Sequence, residues 1–189
     1  MRPTSRANLM SKRVLCLLAP GFEEIEAVTP IDLLRRAGAE VVVASLNGET
    51  LVTGRSKLAL QADAALVDVA DKDFDLLLLP GGPGVQALRT DGRPAKLARK
   101  FFDAERFVGA ICAAPAVLKD ADLLGNRNFT AHFSIYEEVP GAQAQERVVR
   151  DGKILTARGA GTAVDFGLAL VRALFGDAKA EEIARAIMA

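Results

Sequence analysis

The feature that most constrains this chain is a set of short runs with almost no polar residue inside them. They are Val14 to Leu18, Glu40 to Ser45, Asp75 to Leu79 and Arg106 to Ile111. A strand that is apolar on both sides has to be covered on both sides, which is the condition of a parallel sheet flanked by helices. Helical segments separate the runs: about Phe22 to Ala37, closed by Gly38; Pro94 to Ala104; and one that opens just after Cys112. Leu51-Val52 and Lys57 to Ala62 read as a hairpin around Gly54, and Val148 to Asp151 with Lys153 to Ala157 as another about Gly152. Thr162 to Phe175 and Ala178 to Met188 read as closing helices. The pattern predicts an α/β fold with a mostly parallel sheet and helices on both faces. With no internal repeat or linker, residues 11–189 are expected to form one domain.

The charges balance, 24 basic against 24 acidic residues, which gives no support to a nucleic-acid or membrane-surface role. No apolar run approaches the ~20 residues of a membrane span. Two cysteines among 189 residues do not make a secreted disulfide scaffold, so a reducing cytoplasm is the expected setting. Residues 1–10 are polar and unpatterned and lack the apolar stretch of a secretory signal. They read as an N-terminal extension, disordered or added to the natural start, with Met10 as the functional start. A short basic targeting peptide carrying Arg2 and Arg6 is the alternative.

In parallel sheets, sites form beyond the carboxyl ends of the strands. Gly-containing turns follow strands at Pro20-Gly21, Pro80-Gly81-Gly82-Pro83-Gly84 and Arg158 to Gly161, and Cys112 stands at a fourth strand end. Cys112 precedes Ala113-Ala114-Pro115, where Pro115 suits the first turn of a helix. Small neighbours permit a sharp turn that presents the thiol above the sheet, although the G-x-S-x-G spacing of a nucleophile elbow is absent. A helix N-terminus there favours a thiolate. Position alone also fits a cysteine that merely caps a strand. Cys16, inside Val14 to Leu18, reads as a core residue.

Glu23-Glu24-Ile25-Glu26 opens a helix, and acids are at home in a first turn. Glu26 is different. At ~100° per residue it projects between Leu33 and Ala37, on the arc of Ala27, Ile31 and Leu34. A carboxyl on an apolar face resists ionisation, and once protonated it can donate to a thiolate or carry a proton during attack on a carbonyl. The glycines after Leu79 can offer backbone N–H groups to an oxyanion, or simply make a tight turn. No phosphate-binding glycine motif is present. His132, the only histidine, rules out a multi-histidine metal site; it is either structural or a proton relay. Thr162-Ala163-Val164-Asp165 resembles a capping box with a structural role.

Taken in order, Ala19 to Val28, Asp32 to Gly38, Leu79-Pro80-Gly81-Gly82, Ala110 to Pro115 and Arg158 to Thr162 resemble the ThiJ/PfpI superfamily, in its DJ-one branch. The resemblance covers about Ser11 to Ala189 and implies a flavodoxin-like sandwich and a homodimer. It implies a reactive cysteine at Cys112, a protonated glutamate at Glu26, and backbone N–H groups of Gly82 and Ala113 facing the sulfur. It matches His132 to a histidine that some members carry near the cysteine. Phe133 departs from the family pattern, in which proline is common. Gln61 and Gly54 stand near the positions of peripheral cysteines in the animal proteins.

The resemblance implies a glyoxalase or deglycase-type enzyme that needs no cofactor or metal. Its substrates would be 2-oxoaldehydes such as methylglyoxal, or their adducts, reacting through a Cys112 hemithioacetal. One alternative is a redox sensor or redox-controlled chaperone with Cys112 oxidised to sulfinate. A cysteine peptidase or amidase is another.

Overall fold

The computed structural model describes residues 11–189. The reading of residues 1–10 as an extension, and of Met10 as a start, falls outside the described residues. From its N-terminal side the chain forms β1 (Arg13–Leu18), α1 (Glu24–Arg36) and β2 (Glu40–Ser45), then a hairpin of β3 (Leu51–Thr53) and β4 (Ala59–Gln61). β5 (Ala64–Ala65), α2 (Leu66–Val69), β6 (Leu76–Leu79), α3 (Val85–Asp91), α4 (Arg93–Asp103), β7 (Phe107–Ile111) and α5 (Pro115–Asp120) follow. The chain then makes β8 (Val148–Asp151), β9 (Ile154–Ala157), α6 (Ala163–Phe175) and α7 (Asp177–Ala186).

Seven strands share one sheet in the order β5-β2-β1-β6-β7-β9-β8. Every pairing is parallel except β8 with β9, the predicted hairpin about Gly152. The apolar runs are strands for the reason the sequence suggests: alternate residues of each run enter different cores. Leu15, Leu17, Leu77, Leu79, Val108 and Ala110 pack under α2 to α5, while Val14, Cys16, Leu18, Leu76, Leu78 and Ile111 pack under α1, α6 and α7. Burying such a side chain contributes roughly 2 kcal/mol, so the sheet's middle carries much of the hydrophobic stabilisation. Gly109 lets α6 settle directly on β7: a Cβ there would lie 2.9 Å from Leu170 and 3.1 Å from Phe166.

From β1 the chain moves outward to β2 and β5, then returns to place β6 on the other side of β1. The order therefore reverses between β1 and β6, and the crevice at such a reversal is where open α/β sheets bind ligands. Register aligns the strand ends around it, with Leu79 opposite Ala110 and Ile111 opposite Ala157. The turns after β1, β6 and β7 meet there.

Candidate active site

Three turns build the site. The turn after β7 carries Cys112, whose φ of +66° lies in the left-handed region that non-glycine residues rarely enter. Its backbone is tied on both sides. The N–H donates to Ala157 O at 2.8 Å, and the carbonyl accepts from the His132 N–H at 2.9 Å. Helix α5 begins only at Pro115 and is six residues long. The positive field near the sulfur thus comes from individual peptide N–H groups rather than from a long helix. Those of Gly82 and Ala113 both act to lower the thiol's pKa, although neither makes a short, linear hydrogen bond to sulfur.

The turn after β1 leads into α1 and carries Glu26, which has no exposed surface. The residues around it on the helical wheel, Ala27, Ile31, Leu33, Leu34 and Ala37, are buried with it. The turn after β6 supplies Gly81, whose N–H donates to Glu26 Oε2 at 3.0 Å. The other oxygen, Oε1, is buried with no partner. Buried polar atoms are nearly always satisfied, and a proton held between this carboxyl and the adjacent sulfur, on either group, would satisfy the orphan. Burial pushes Glu26 up to about 7; interaction with Cys112 works the other way, and the Glu23 charge adds to the rise. Burial first, then the Glu26 charge, pushes the Cys112 thiol up to about 12. Each group resists ionisation while the other is charged, so the pair gives up its first proton near neutrality and keeps the second well into the alkaline range.

Gly81 is the residue that sequence reasoning passed over in favour of its neighbour. A Cβ at Gly81 would stand 2.6 Å from Glu26 Oε2, 2.7 Å from Cys112 Cβ and 2.8 Å from Ile111 O. Only glycine lets carboxyl and thiol close on each other. Gly82 has a different reason to be glycine, a φ of +90° and a Cβ position 2.6 Å from Glu23 N.

Glu23 caps α1, accepting from the Glu26 N–H at 2.9 Å. Glu24 is more than a helix-end acid. It is 7% exposed, and its Oε1 accepts from the Ser56 N–H at 2.7 Å. Burial works to raise its pKa, but N–H donors, those of Ser56 and Leu58 among them, outweigh this and hold the carboxyl below its usual range. The β3–β4 loop is thereby fastened to α1.

His132 lines the same cavity as Cys112 and Glu26. Its Nδ1 is engaged by Ser134, at 2.9 Å from Oγ and 3.3 Å from the backbone N, which places the neutral ring's proton on Nε2. Burial, and then the charge of Arg55, lowers its pKa, so the ring is neutral at physiological pH. The ring makes no hydrogen bond to the sulfur. Thr130 holds the segment before it, its N–H donating to Thr156 Oγ1 at 2.9 Å. Thr162 does not cap α6 as expected; its hydroxyl turns back to Gly159 O at 2.8 Å, and Asp165 pairs with Arg147.

The cavity above the sulfur measures about 410 Å³ and adds Arg55, Gln86, Arg89 and Glu138 to these residues. That is room for a small organic molecule. Among the described residues no cluster of three or more His, Cys, Asp or Glu could hold a metal ion. No helix there is long and apolar enough to cross a membrane. Cys16 lies in the core with no exposed surface, its thiol pushed far up by burial.

A seven-stranded, mostly parallel sheet with a thiol on a left-handed turn beside a buried carboxyl defines a class of α/β proteins built around one cysteine. The chain belongs to the DJ-1/PfpI family, whose profile matches residues 12–173. It is 36% identical to Protein dj-1beta of Drosophila melanogaster, over 95% of this chain and 98% of the relative. YraA of Bacillus subtilis (strain 168) is 38% identical over 79% of this chain and 90% of that protein. The crystal structure of Drosophila melanogaster DJ-1beta superposes with a TM-score of 0.91 at 36% identity, covering 95% of this chain and 98% of that one. Oxidized Toxoplasma gondii DJ-1 gives 0.89 at 32% identity over 94% and 98%. The fold is the flavodoxin-like sandwich that the motifs imply.

Proposed function

We propose that the chain is a cofactor-independent, cysteine-dependent enzyme of the glyoxalase or deglycase type, acting on 2-oxoaldehydes such as methylglyoxal or their adducts. The observation that carries this reading is the Glu26–Cys112 pair: one nucleophile and one proton carrier, touching, in a cavity of small-molecule size. The Cys112 thiolate adds to the aldehyde carbon, and the carbonyl oxygen takes the Glu26 proton to give a hemithioacetal. The Glu26 carboxylate then removes the hydrogen on that carbon, leaving an enediol, and a proton returned to the neighbouring carbon yields the thioester of a 2-hydroxy acid. Water cleaves the thioester and frees the thiolate, so methylglyoxal plus water becomes lactate with nothing oxidised or reduced overall. The N–H groups of Gly82 and Ala113 face the sulfur and would stabilise negative charge that develops next to it. His132 offers Nε2 as a second proton carrier. Incubation with methylglyoxal and no glutathione tests the reading: lactate should form, and turnover no greater than that of Cys112→Ser would overturn it.

The same environment favours a second reading, a redox-sensing protein or redox-controlled chaperone. A Cys112 sulfinate would place oxygen acceptors among the Gly82 and Ala113 N–H groups and a protonated Glu26. Mild peroxide followed by mass spectrometry should then add two oxygens to Cys112 and none to buried Cys16. Equal oxidation of the two would count against a tuned site. YraA is named as a candidate cysteine protease, but the ring of His132 is turned to Ser134 and not to the sulfur, which disfavours peptidase chemistry here.

A homodimer completes the proposal. Ile25 and Val28 on α1 and Leu51 and Leu58 on the adjoining hairpin are exposed apolar residues that a second copy would cover. Light scattering should give twice the chain mass.

A further inference from the structure

Two arginines line the cavity, and only one is spoken for. Arg89 donates to Asp120 at 2.7 Å and to Glu138 at 2.8 Å, which fixes and neutralises it. Arg55 makes no side-chain hydrogen bond or ion pair among the described residues, yet its charge reaches both Glu26 and His132. Of the acids around it in the cavity, Glu23 is occupied as the cap of α1 and Glu138 by Arg89. A guanidinium that shares the nucleophile's cavity, with no side-chain partner among the described residues, is a receptor for a carboxylate, to which its planar fork of N–H donors is matched.

The loop that bears it is not free to drift. The Arg55 N–H donates to Phe22 O at 2.9 Å, and the Gly54 N–H to Leu58 O at 2.8 Å. The next residue, Ser56, is held by the Glu24 carboxylate at 2.7 Å. Gly54 leaves the room that carboxylate occupies, because a Cβ there would run into it. Glu24 is thus a positioning residue: it fixes the pivot from which the guanidinium reaches the cavity.

We infer that Arg55 forms an anion subsite in this cavity, and that the electrophiles it selects are aldehydes bearing a carboxylate. The inference rests on Cys112 being the nucleophile proposed above and names the chemistry of its substrate. The thiolate attacks the aldehyde carbon while the guanidinium holds the carboxylate.

Alkylation of the full-length chain tests it. Iodoacetate and iodoacetamide have nearly the same shape, differ in charge, and react at sulfur with loss of iodide. Their rates at Cys112 are measured by mass spectrometry in the native protein, in Arg55→Gln and in Arg55→Lys. Dividing one rate by the other removes any change in the thiolate population. The ratio of iodoacetate to iodoacetamide rates should fall on the order of fivefold in Arg55→Gln, as expected for one charge acting across a partly screened cavity, and largely recover in Arg55→Lys. A ratio unchanged in Arg55→Gln would overturn the subsite and leave Cys112 as nucleophile. A Cys112 that reacts with neither reagent faster than Cys16 would overturn the nucleophile assignment, and this inference with it. Glu24→Gln should lower the ratio part of the way; a ratio equal to the native one would remove Glu24 as a positioning residue.

Discussion

Replacing Glu26 by glutamine should turn two coupled titrations into one. In the native site, burial opposes the charge of both groups, and each charge opposes the other, with Glu26 raised to about 7 and Cys112 to about 12. Such a pair releases its first proton near the lower value and holds its second to near the higher. At the first step the negative charge can rest on sulfur, where two N–H groups and the Glu26 O–H face it, or on the carboxyl. The proposed chemistry requires sulfur, so ultraviolet thiolate absorbance should rise in the lower step. Glu26→Gln removes the second charge. Two unit charges about 4 Å apart at an effective dielectric near 20 repel by about 4 kcal/mol, roughly three pK units. The variant should therefore show one thiolate step, about three pK units below the upper native step and above the lower one. Cys16 stays silent because it is buried. Native absorbance that rises only in the upper step would put the proton on sulfur at neutral pH and refute the general-acid role of Glu26. A variant that titrates like the native protein would show that the two groups do not communicate.

Other substitutions probe the same construction. Gly81→Ala should cost about 1–3 kcal/mol by overpacking, read by thermal melting. It should also remove turnover, because the new methyl separates the pair it would touch. Retention of both stability and turnover would contradict the wedge described for Gly81. The raised pKa of Glu26 predicts the sense of the pH dependence. Between the ordinary value of 4.5 and about 7 the folded chain holds a proton that the unfolded chain has lost, so stability falls as pH rises through that window. The loss is on the order of 3 kcal/mol, and Glu26→Gln should abolish it in urea titrations at about pH 4 and about pH 8. Glu24 has the opposite sign. Its depressed pKa stabilises the fold above the ordinary carboxylate range, and that contribution disappears as pH falls through the depressed value. Glu24→Gln should flatten the acid limb of the same curve.

Elements with a long, uniform pattern were legible before any coordinates. β2 has the expected bounds, and β1, β6, β7 and α1 differ from expectation by one or two residues at their ends. The missed elements are those where local signals conflict. α3 starts directly after a Gly-Pro-Gly turn, which reads as loop, and β5 and α2 are too short to show a period. At the site, the wheel singled out Glu26 because burial of a carboxyl leaves a mark in the spacing of its neighbours. Gly81 left no comparable mark. It stands in a turn where any glycine has a ready conformational excuse, and its real reason, contact across 55 positions of sequence with Glu26, exists only in three dimensions. Arg55 was hidden likewise. A basic residue in a hairpin loop is usually solvated surface, and only the fastening of that loop by Glu24 shows that it borders the cavity. The helix field first assigned to Cys112 gives way to discrete N–H groups, because α5 is short and begins only at Pro115, three residues past the thiol.

The backbone ties of Cys112 have a consequence for the order in which the protein becomes reactive. Its left-handed turn is held by the Ala157 carbonyl on one side and the His132 N–H on the other, both from chain made after it. A nascent polypeptide that has emerged only as far as α5 has the cysteine and the glutamate but not the two anchors that hold the thiol in its strained pose. If Cys112 is the nucleophile proposed above, the sulfur is an ordinary cysteine during early synthesis and takes up its functional pose only when β9 docks. Reagents that read thiol reactivity should consequently serve as a clock for the completion of this fold.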